Sequence, residues 1–221
     1  MKHVVVDLEM NNISQKLEKR SICSHEIIEI GAVMLDDDLA EIDSFRTYVK
    51  PEYDANISLN VSRITGITES MISNAPKINE AFKMFANWCL KSGDNVEIYA
   101  WSDSDYNQIT KEIVAKEFTL TEEEQKLVDH EWTDFQKEFD NHFGFERQLS
   151  LKLALEMAGI DFAGKEHDAL HDARNTAELL RVFSDKELFD KTLRKIKEAM
   201  EPKPLENTLG SMIDFSSFTV E

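Results

Sequence analysis

Residues 4–9 read Val4-Val5-Val6-Asp7-Leu8-Glu9. Three β-branched residues in succession describe a strand buried on both faces. Two carboxylates follow, two positions apart. Side chains alternate along a strand, so Asp7 and Glu9 leave it on the same side, at its end. Like charges placed together repel, and burying them unpaired costs roughly several kcal/mol. A cation between them removes that cost, and Mg²⁺ and Mn²⁺ take oxygen ligands of this kind. A strand end with two solvated acids is the other reading of the segment.

Working outward, residues 26–36 (EIIEIGAVMLD) form a second apolar, β-branched strand. Asp36-Asp37-Asp38 makes a turn, and a third strand covers 41–49. Tight connections between the three predict an antiparallel meander. Residues 11–25 between the first two strands are polar and irregular, an exposed loop with Lys16, Lys19 and Arg20. Either these cations meet a phosphate backbone or they are simply solvated. A helical apolar stripe (Ala81, Phe82, Phe85, Trp88, Cys89) marks 79–90, with Asn79 as its N-cap. Residues 96–101 give a fourth strand, running into Ser102-Asp103-Ser104-Asp105 and a helix with Ile109, Ile113 and Val114. Residues 121–143 are helical in part, with Trp132, Phe135 and Phe139 as one stripe. Ser150 caps a helix over 151–158 that Gly159 stops. A loop from Gly164 leads to a narrow stripe of Ala169, Ala173, Ala177 and Leu180, whose small residues permit close packing. One more helix ends near residue 200. Strands first, then strands alternating with helices, give an α/β fold: a mixed sheet flanked by helices, in one domain over residues 1–200 with a tail at 201–221.

With 221 residues, 42% hydrophobic, the chain can bury one substantial core, and seven Gly and four Pro leave no room for a long flexible linker. No apolar run approaches the ~18 residues of a membrane span. No basic segment followed by an apolar stretch marks the N-terminus, and Cys23 and Cys89 lie far apart outside any C-x-x-C. The expected setting is cytoplasmic, with two buried thiols. The net charge of −18 argues against tight nonspecific binding to long duplex. It leaves room for a local basic patch or bound metal ions to engage a nucleic acid.

Four acids and one histidine stand out by position. Asp7 and Glu9 end the first strand, Asp105 sits where the fourth strand meets its helix, Asp172 begins a late core helix, and His167 lies just before it. If the first and fourth strands are neighbours, their carboxyl ends gather the acids round one crevice. Four carboxylates there bind two divalent ions about 4 Å apart, the arrangement for in-line attack at phosphorus. A histidine suits the role of general base near neutral pH.

These residues resemble the DEDDh 3′–5′ exonucleases of the ribonuclease-H-like superfamily, which include proofreading exonuclease subunits and ribonuclease T. The D-x-E of VVVDLEM opens the set, WSDSDYNQI supplies the second motif, and His167 to Asp172 form the H-x4-D. ITGIT stands at the expected distance after the first motif, and the ordered set covers residues 4 to about 183. The resemblance implies Asp7, Glu9, Asp105 and Asp172 as ligands of two Mg²⁺ or Mn²⁺ ions, with Asp7 bridging. It implies His167 as general base, and Leu8, Glu9, Met10, Thr65, Gly66 and Ile67 against the terminal nucleotide. The implied activity is release of nucleoside monophosphates from the 3′ ends of single-stranded DNA or RNA. In the second motif Asp103 competes with Asp105; Asp105 is preferred because it puts Ile109 one helical turn away.

Two other readings stand beside this one. A degenerate exonuclease fold kept as a nucleic-acid-binding module would lack one of the five residues, and all are filled. His167, Asp168, His171 and Asp172 mimic an HD-type phosphohydrolase, an all-helical class whose further His and Asp ligands come from other helices. His171 then reads as a helix-surface residue and Asp168 as a cap. Residues 209–215 of the tail resemble a peptide that docks on a partner protein; a tail that is disordered or packed on its own domain is the plainer reading.

Overall fold

The computed structural model describes residues 1–91, 96–130 and 132–200. In chain order the strands are β1 (Lys2–Asn12), β2 (His25–Leu35), β3 (Glu41–Tyr48), β4 (Val96–Ala100) and β5 (Thr133–Asp134). The helices are α1 (Leu59–Thr65), α2 (Glu69–Ile72), α3 (Ile78–Leu90), α4 (Ser104–Ala115), α5 (Glu122–Asp129), α6 (Phe135–Phe143), α7 (Leu151–Ala158), α8 (Ala169–Ser184) and α9 (Lys186–Met200). The five strands form one sheet in the order β3-β2-β1-β4-β5. β1, β2 and β3 are antiparallel neighbours, while β4 runs parallel to β1 and β5 parallel to β4. The sheet is therefore mixed, with helices on both faces, as the element pattern predicts. No helix among the described residues is long and apolar enough to cross a membrane.

Alternation along β1 divides the core. Val4, Val6 and Leu8 face a layer that holds Phe82 and Phe85 of α3, Ile109 of α4 and Leu127 of α5. Val5 faces the other layer, with Phe135 and Phe139 of α6, Leu155 of α7 and Leu180 of α8. Burying each such side chain contributes roughly 1.5–3 kcal/mol. Asp7 and Glu9 share the parity of Val5, so they emerge on the face that α8 covers. α8 reaches that face because β2 carries Gly31 directly opposite Asp7. A Cβ at Gly31 would fall inside the backbone of Ala169 and Leu170 at the start of α8. An isolated glycine within a strand marks such a close approach.

Several elements depart from the sequence expectations. Asp7 and Glu9 do not end β1, which continues to Asn12 past a bulge between Glu9 and Met10. β4 ends its pairing at Val6–Ala100, so residues 7–12 project with β2 as a two-stranded ribbon. The 11–25 loop is less open than expected: Ile13 and Cys23 are buried, and Glu18–Ser21 form a 3-10 turn. α3 starts at Ile78, so Asn79 lies inside it rather than capping it; Lys77, extended after Pro76, precedes the helix, and Ile78 is already core. Trp132 does not share a stripe with Phe135 and Phe139. The chain passes through β5 between them, which puts Trp132 on one face of the sheet and the two phenylalanines on the other. The short α1 and α2 were not legible as helices. Ser150, Gly159 and Asp168 do cap their helices as predicted. The tail at 201–221, including the peptide-like segment, lies outside the described residues.

Candidate active site

A cleft of about 430 Å³ opens beside β1, and Asp7, Glu9, Asp105, His167 and Asp172 all line it. Each arrives from its own element. Asp7 and Glu9 stand on the projecting ribbon, Asp105 in the first turn of α4, Asp172 in the first turn of α8, and His167 in the strap before α8. Asp105 is buried and is held by local necessity: beyond Val6 the outer edge of β1 has no strand beside it among the described residues. The Leu8 N–H therefore donates to Asp105 Oδ1 at 3.0 Å instead of to a strand carbonyl. Asp103 is exposed and lines a separate hollow with Tyr106 and Trp132. Only Asp105 of the pair is in the cleft.

Glu9, His167 and Asp172 come closest together. One ligand atom from each lies within 4.8 Å of the other two. Asp7 and Asp105 share the cleft without joining that trio. His167 is exposed and sits at a left-handed φ of 59°, unusual for a residue with a side chain. Its N–H donates to Asp172 Oδ2 at 3.0 Å, so the backbone of the histidine orients the acid.

The electrostatics are one-sided. Burial, then Asp105, Asp172, Glu9 and Glu29, push the Asp7 carboxyl well above its ordinary range. Burial and the neighbouring Asp172 push Glu9 up to about 8. Burial pushes Asp105 and Asp172 up to about 7, against the N–H bonds from Leu8 and His167 that favour their charged forms. Four such acids, all offering oxygen ligands with one imidazole beside them, suit hard divalent cations.

Not every residue expected at the site lines the cleft. Leu8 and Met10 do. Thr65 and Ile67 are buried: the Thr65 hydroxyl bonds Val61 O and the Ile67 N–H, and Ile67 packs with Ile28, Val61 and Ile72. Gly66 ends α1 at a φ of 76° and lies against Lys165 of the strap, whose Nζ donates to Thr65 O at 2.6 Å. The turn therefore reaches the site through Lys165. His171 is not a free surface residue. Its Nδ1 accepts from the Lys165 N–H at 3.2 Å, and a Cβ on Gly164 would come within 2.6 Å of its ring. It supports the strap. His142 lies in α6 with its ring against Phe143, Phe183 and Phe189, away from the cleft.

Four residues around the site were not picked out by sequence reading. Glu29, opposite Glu9 on β2, is buried and accepts from Arg46 Nε at 2.6 Å; Arg46 Nη2 also donates to Asp168 at 2.8 Å. That clamp fixes the N-cap of α8, and hence Asp172. Asn175 ties the strap to α8 through Ala163 N–H and C=O. Lys152 of α7 pairs with Glu166. The second acid in EIIEIG, two residues before a strand glycine, was the available signal for Glu29; the other three carry none.

Comparison with known proteins agrees with this geometry. The RNase_T exonuclease model matches residues 4–180. The mouse 3′-5′ exoribonuclease 1 is 28% identical over 167 residues, 73% of this chain and 48% of that protein. A PolC-type DNA polymerase III of Clostridium perfringens is 29% identical over 202 residues, 90% of this chain and 12% of that protein. The chain thus spans about half the length of the exoribonuclease it matches. Among solved structures, the nuclease domain of 3′hExo, a DEDDh family member bound to rAMP, superposes with a TM-score of 0.68 at 20% identity, covering 94% of this chain and 97% of that one. DEDDh exonucleases use divalent metal ions, which the acid cluster here fits. With the ordered motifs, the cleft and the ribonuclease-H-like sheet in agreement, the chain belongs to the RNase_T exonuclease family.

Proposed function

We propose that the protein is a 3′–5′ exonuclease that removes nucleoside monophosphates from single-stranded nucleic acid. The observation that carries this reading is the convergence of Glu9, His167 and Asp172 within 4.8 Å, in a cleft that Asp7 and Asp105 also line. Asp7, Glu9, Asp105 and Asp172 would hold two divalent ions, Mg²⁺ or Mn²⁺, which supply charge stabilisation at phosphorus and lower the pKa of water. Leu8 and Met10 line the cleft and would border the terminal nucleotide, and the turn at Thr65, Gly66 and Ile67 would act on it only by anchoring Lys165 of the His167 strap. His167 takes the proton from the attacking water. The water oxygen bonds to phosphorus as the bond to the upstream 3′ oxygen breaks, which frees a 5′-monophosphate and a strand shorter by one residue. All five positions are filled, which favours an enzyme over an inactive binding module, and a strand-built site argues against an HD-type centre. The buried, unpaired Cys23 and Cys89 support a reducing, cytoplasmic setting.

Matched RNA and DNA oligonucleotides, labelled at the 5′ end, test this reading. A ladder shortening one nucleotide at a time, abolished by EDTA and restored by Mg²⁺ or Mn²⁺, is the expected result. Cleavage that resists chelation, or internal fragments as first products, would overturn it. Both sugars are needed in the test, because one relative is an exoribonuclease and another a DNA polymerase.

A further inference from the structure

A second cavity, of about 600 Å³, lies at the tip of the β1–β2 ribbon, outside the acid cleft. Asn12, Lys16, Leu17 and Arg20 line one side of it, Asn56 and Ser58 the other. Its walls are fixed. The Asn11 amide donates to Asn56 O and its Oδ1 accepts from Ser58 N–H, and Arg20 Nη1 donates to the carbonyls of Ile13 and Ser24. Asp54, the acid in the wall, is engaged by Ser14 N–H and by the Asn56 N–H and amide.

Charge sets this place apart. In a chain of net charge −18, most cations near acids are paired: Arg46, Lys77, Lys91, Lys116, Lys152, Arg174 and Arg181 all meet carboxylates. Lys16, Lys19 and Arg20 fall within five residues, and among the described residues none meets a carboxylate. Arg20 bonds only carbonyls, Lys19 stands over the Tyr53 ring at 5.1 Å, and Lys16 is exposed. Leu17 beside them is 38% exposed, an apolar surface next to a cation.

Position links the two hollows. Met10 lines the cleft and Asn12 the cavity, two residues apart on one strand, or about 7 Å. α1 connects the cavity to the strap: it starts after Ser58 at the cavity and ends at Thr65, whose carbonyl accepts from Lys165, two residues before His167. We propose that this cavity is an upstream subsite, taking the sugar-phosphate backbone of the nucleotides that precede the one being removed. Lys16 and the free guanidinium N–H groups of Arg20 meet the phosphates, and Leu17 and Asn12 face the base. This inference rests on the nuclease reading. It assigns the enzyme's preference to single strands several nucleotides long, held by charge without base readout.

Lys16→Glu tests it, since an exposed side chain can be reversed in charge without endangering the fold. The substrates are a single-stranded decamer, a dinucleotide, and the p-nitrophenyl ester of thymidine 5′-monophosphate. The variant is expected to raise KM on the decamer on the order of tenfold, the loss of about one charge-assisted contact, and to leave kcat/KM on the two short substrates within about twofold. The slope of log KM against log salt on the decamer should fall by about 0.7. Anisotropy of a fluorescent decamer in Ca²⁺ reads the same loss without turnover, so it decides the subsite even if the wild-type chain cleaves nothing and the nuclease reading fails. Equal losses on long and short substrates, or unchanged decamer binding, would overturn the subsite.

Discussion

The β1–β2 ribbon borders two clusters of buried acids, and they are opposites. Behind the ribbon, Glu26 and Glu112 are fully buried with Lys116 between them, at 2.8 and 2.6 Å. Glu26 also accepts from the N–H groups of Glu52, Tyr53 and Asp54, and Glu112 from Ile27 N–H and the Gln108 amide. Burial alone would push the Lys116 ammonium down; Glu112 and Glu26 more than reverse it and hold it above the usual lysine value. In the cleft, Asp7, Glu9, Asp105 and Asp172 have neutral partners at most, backbone N–H groups and the Ser104 hydroxyl, and among the described residues the one lysine that lines it, Lys152, is paired with Glu166 instead. An acid cluster with its cation built in is architecture. One without a cation between its acids fits a charge from outside.

The largest test of that contrast removes one acid. Asp7→Asn or Asp172→Asn should lower turnover on the order of 10³-fold or more, the loss of several kcal/mol of charge stabilisation. The metal-free protein should keep its melting temperature or gain, because repulsion is relieved. Lys116→Met should do the reverse: a loss of about 3–5 kcal/mol of stability, measured by denaturant titration, the same with or without metal. A metal-free Asp7→Asn protein that melts much lower than wild type would erase the distinction.

Next in size is the base. His167→Ala should lower turnover by roughly 10²–10⁴ and remove the acidic limb of the pH–rate profile. His171→Ala should cost less and leave the limb in place, since that ring supports the strap and does not line the cleft. Loss of the limb in the His171 variant would mean that the roles are exchanged.

pH sharpens the comparison further. Glu9 stands near 8 and Asp105 and Asp172 near 7, far above the value near 4 of an unfolded carboxylate. Between about pH 4 and 8 the native metal-free chain therefore binds more protons than the unfolded chain, so its stability falls as pH rises through that window. Melting curves without metal should drop from pH 5 to 8, Asp7→Asn should flatten the slope, and Mg²⁺ should raise the melting temperature most at the alkaline end. An unchanged slope in the variant would place the raised pKa values elsewhere. The smallest effect belongs to Asp103→Asn, which should leave activity within about twofold while Asp105→Asn is severe; the opposite ranking would move the second-motif ligand to Asp103.

How much of this was legible in the sequence follows the same line. That Asp7, Glu9, Asp105, His167 and Asp172 share one cleft was legible because strand parity and helix starts fix them locally. The Asp103–Asp105 choice followed from Ile109, which is indeed buried one turn on. The clamp of Arg46 on Glu29 and Asp168 was not legible, because it joins residues 122 positions apart and nothing in FRTY announces a partner. The split of Trp132 from Phe135 was lost in a two-residue strand too short to leave a period. The ITGIT turn was located by its motif, yet its contact with the site runs through Lys165, a hundred residues away.

Gly31 has a consequence for anyone engineering this protein. The spacing between the acids of β1 and those of α8 is set by two backbones in contact, with no side chain as spacer. A methyl group there would act as a shim. It would lift α8 and carry Asp172 and the His167 strap away from Asp7 while leaving all five cleft residues chemically intact. Among substitutions scored by activity alone, the most sensitive position outside the cleft would then be the residue opposite Asp7 that has no side chain to mutate.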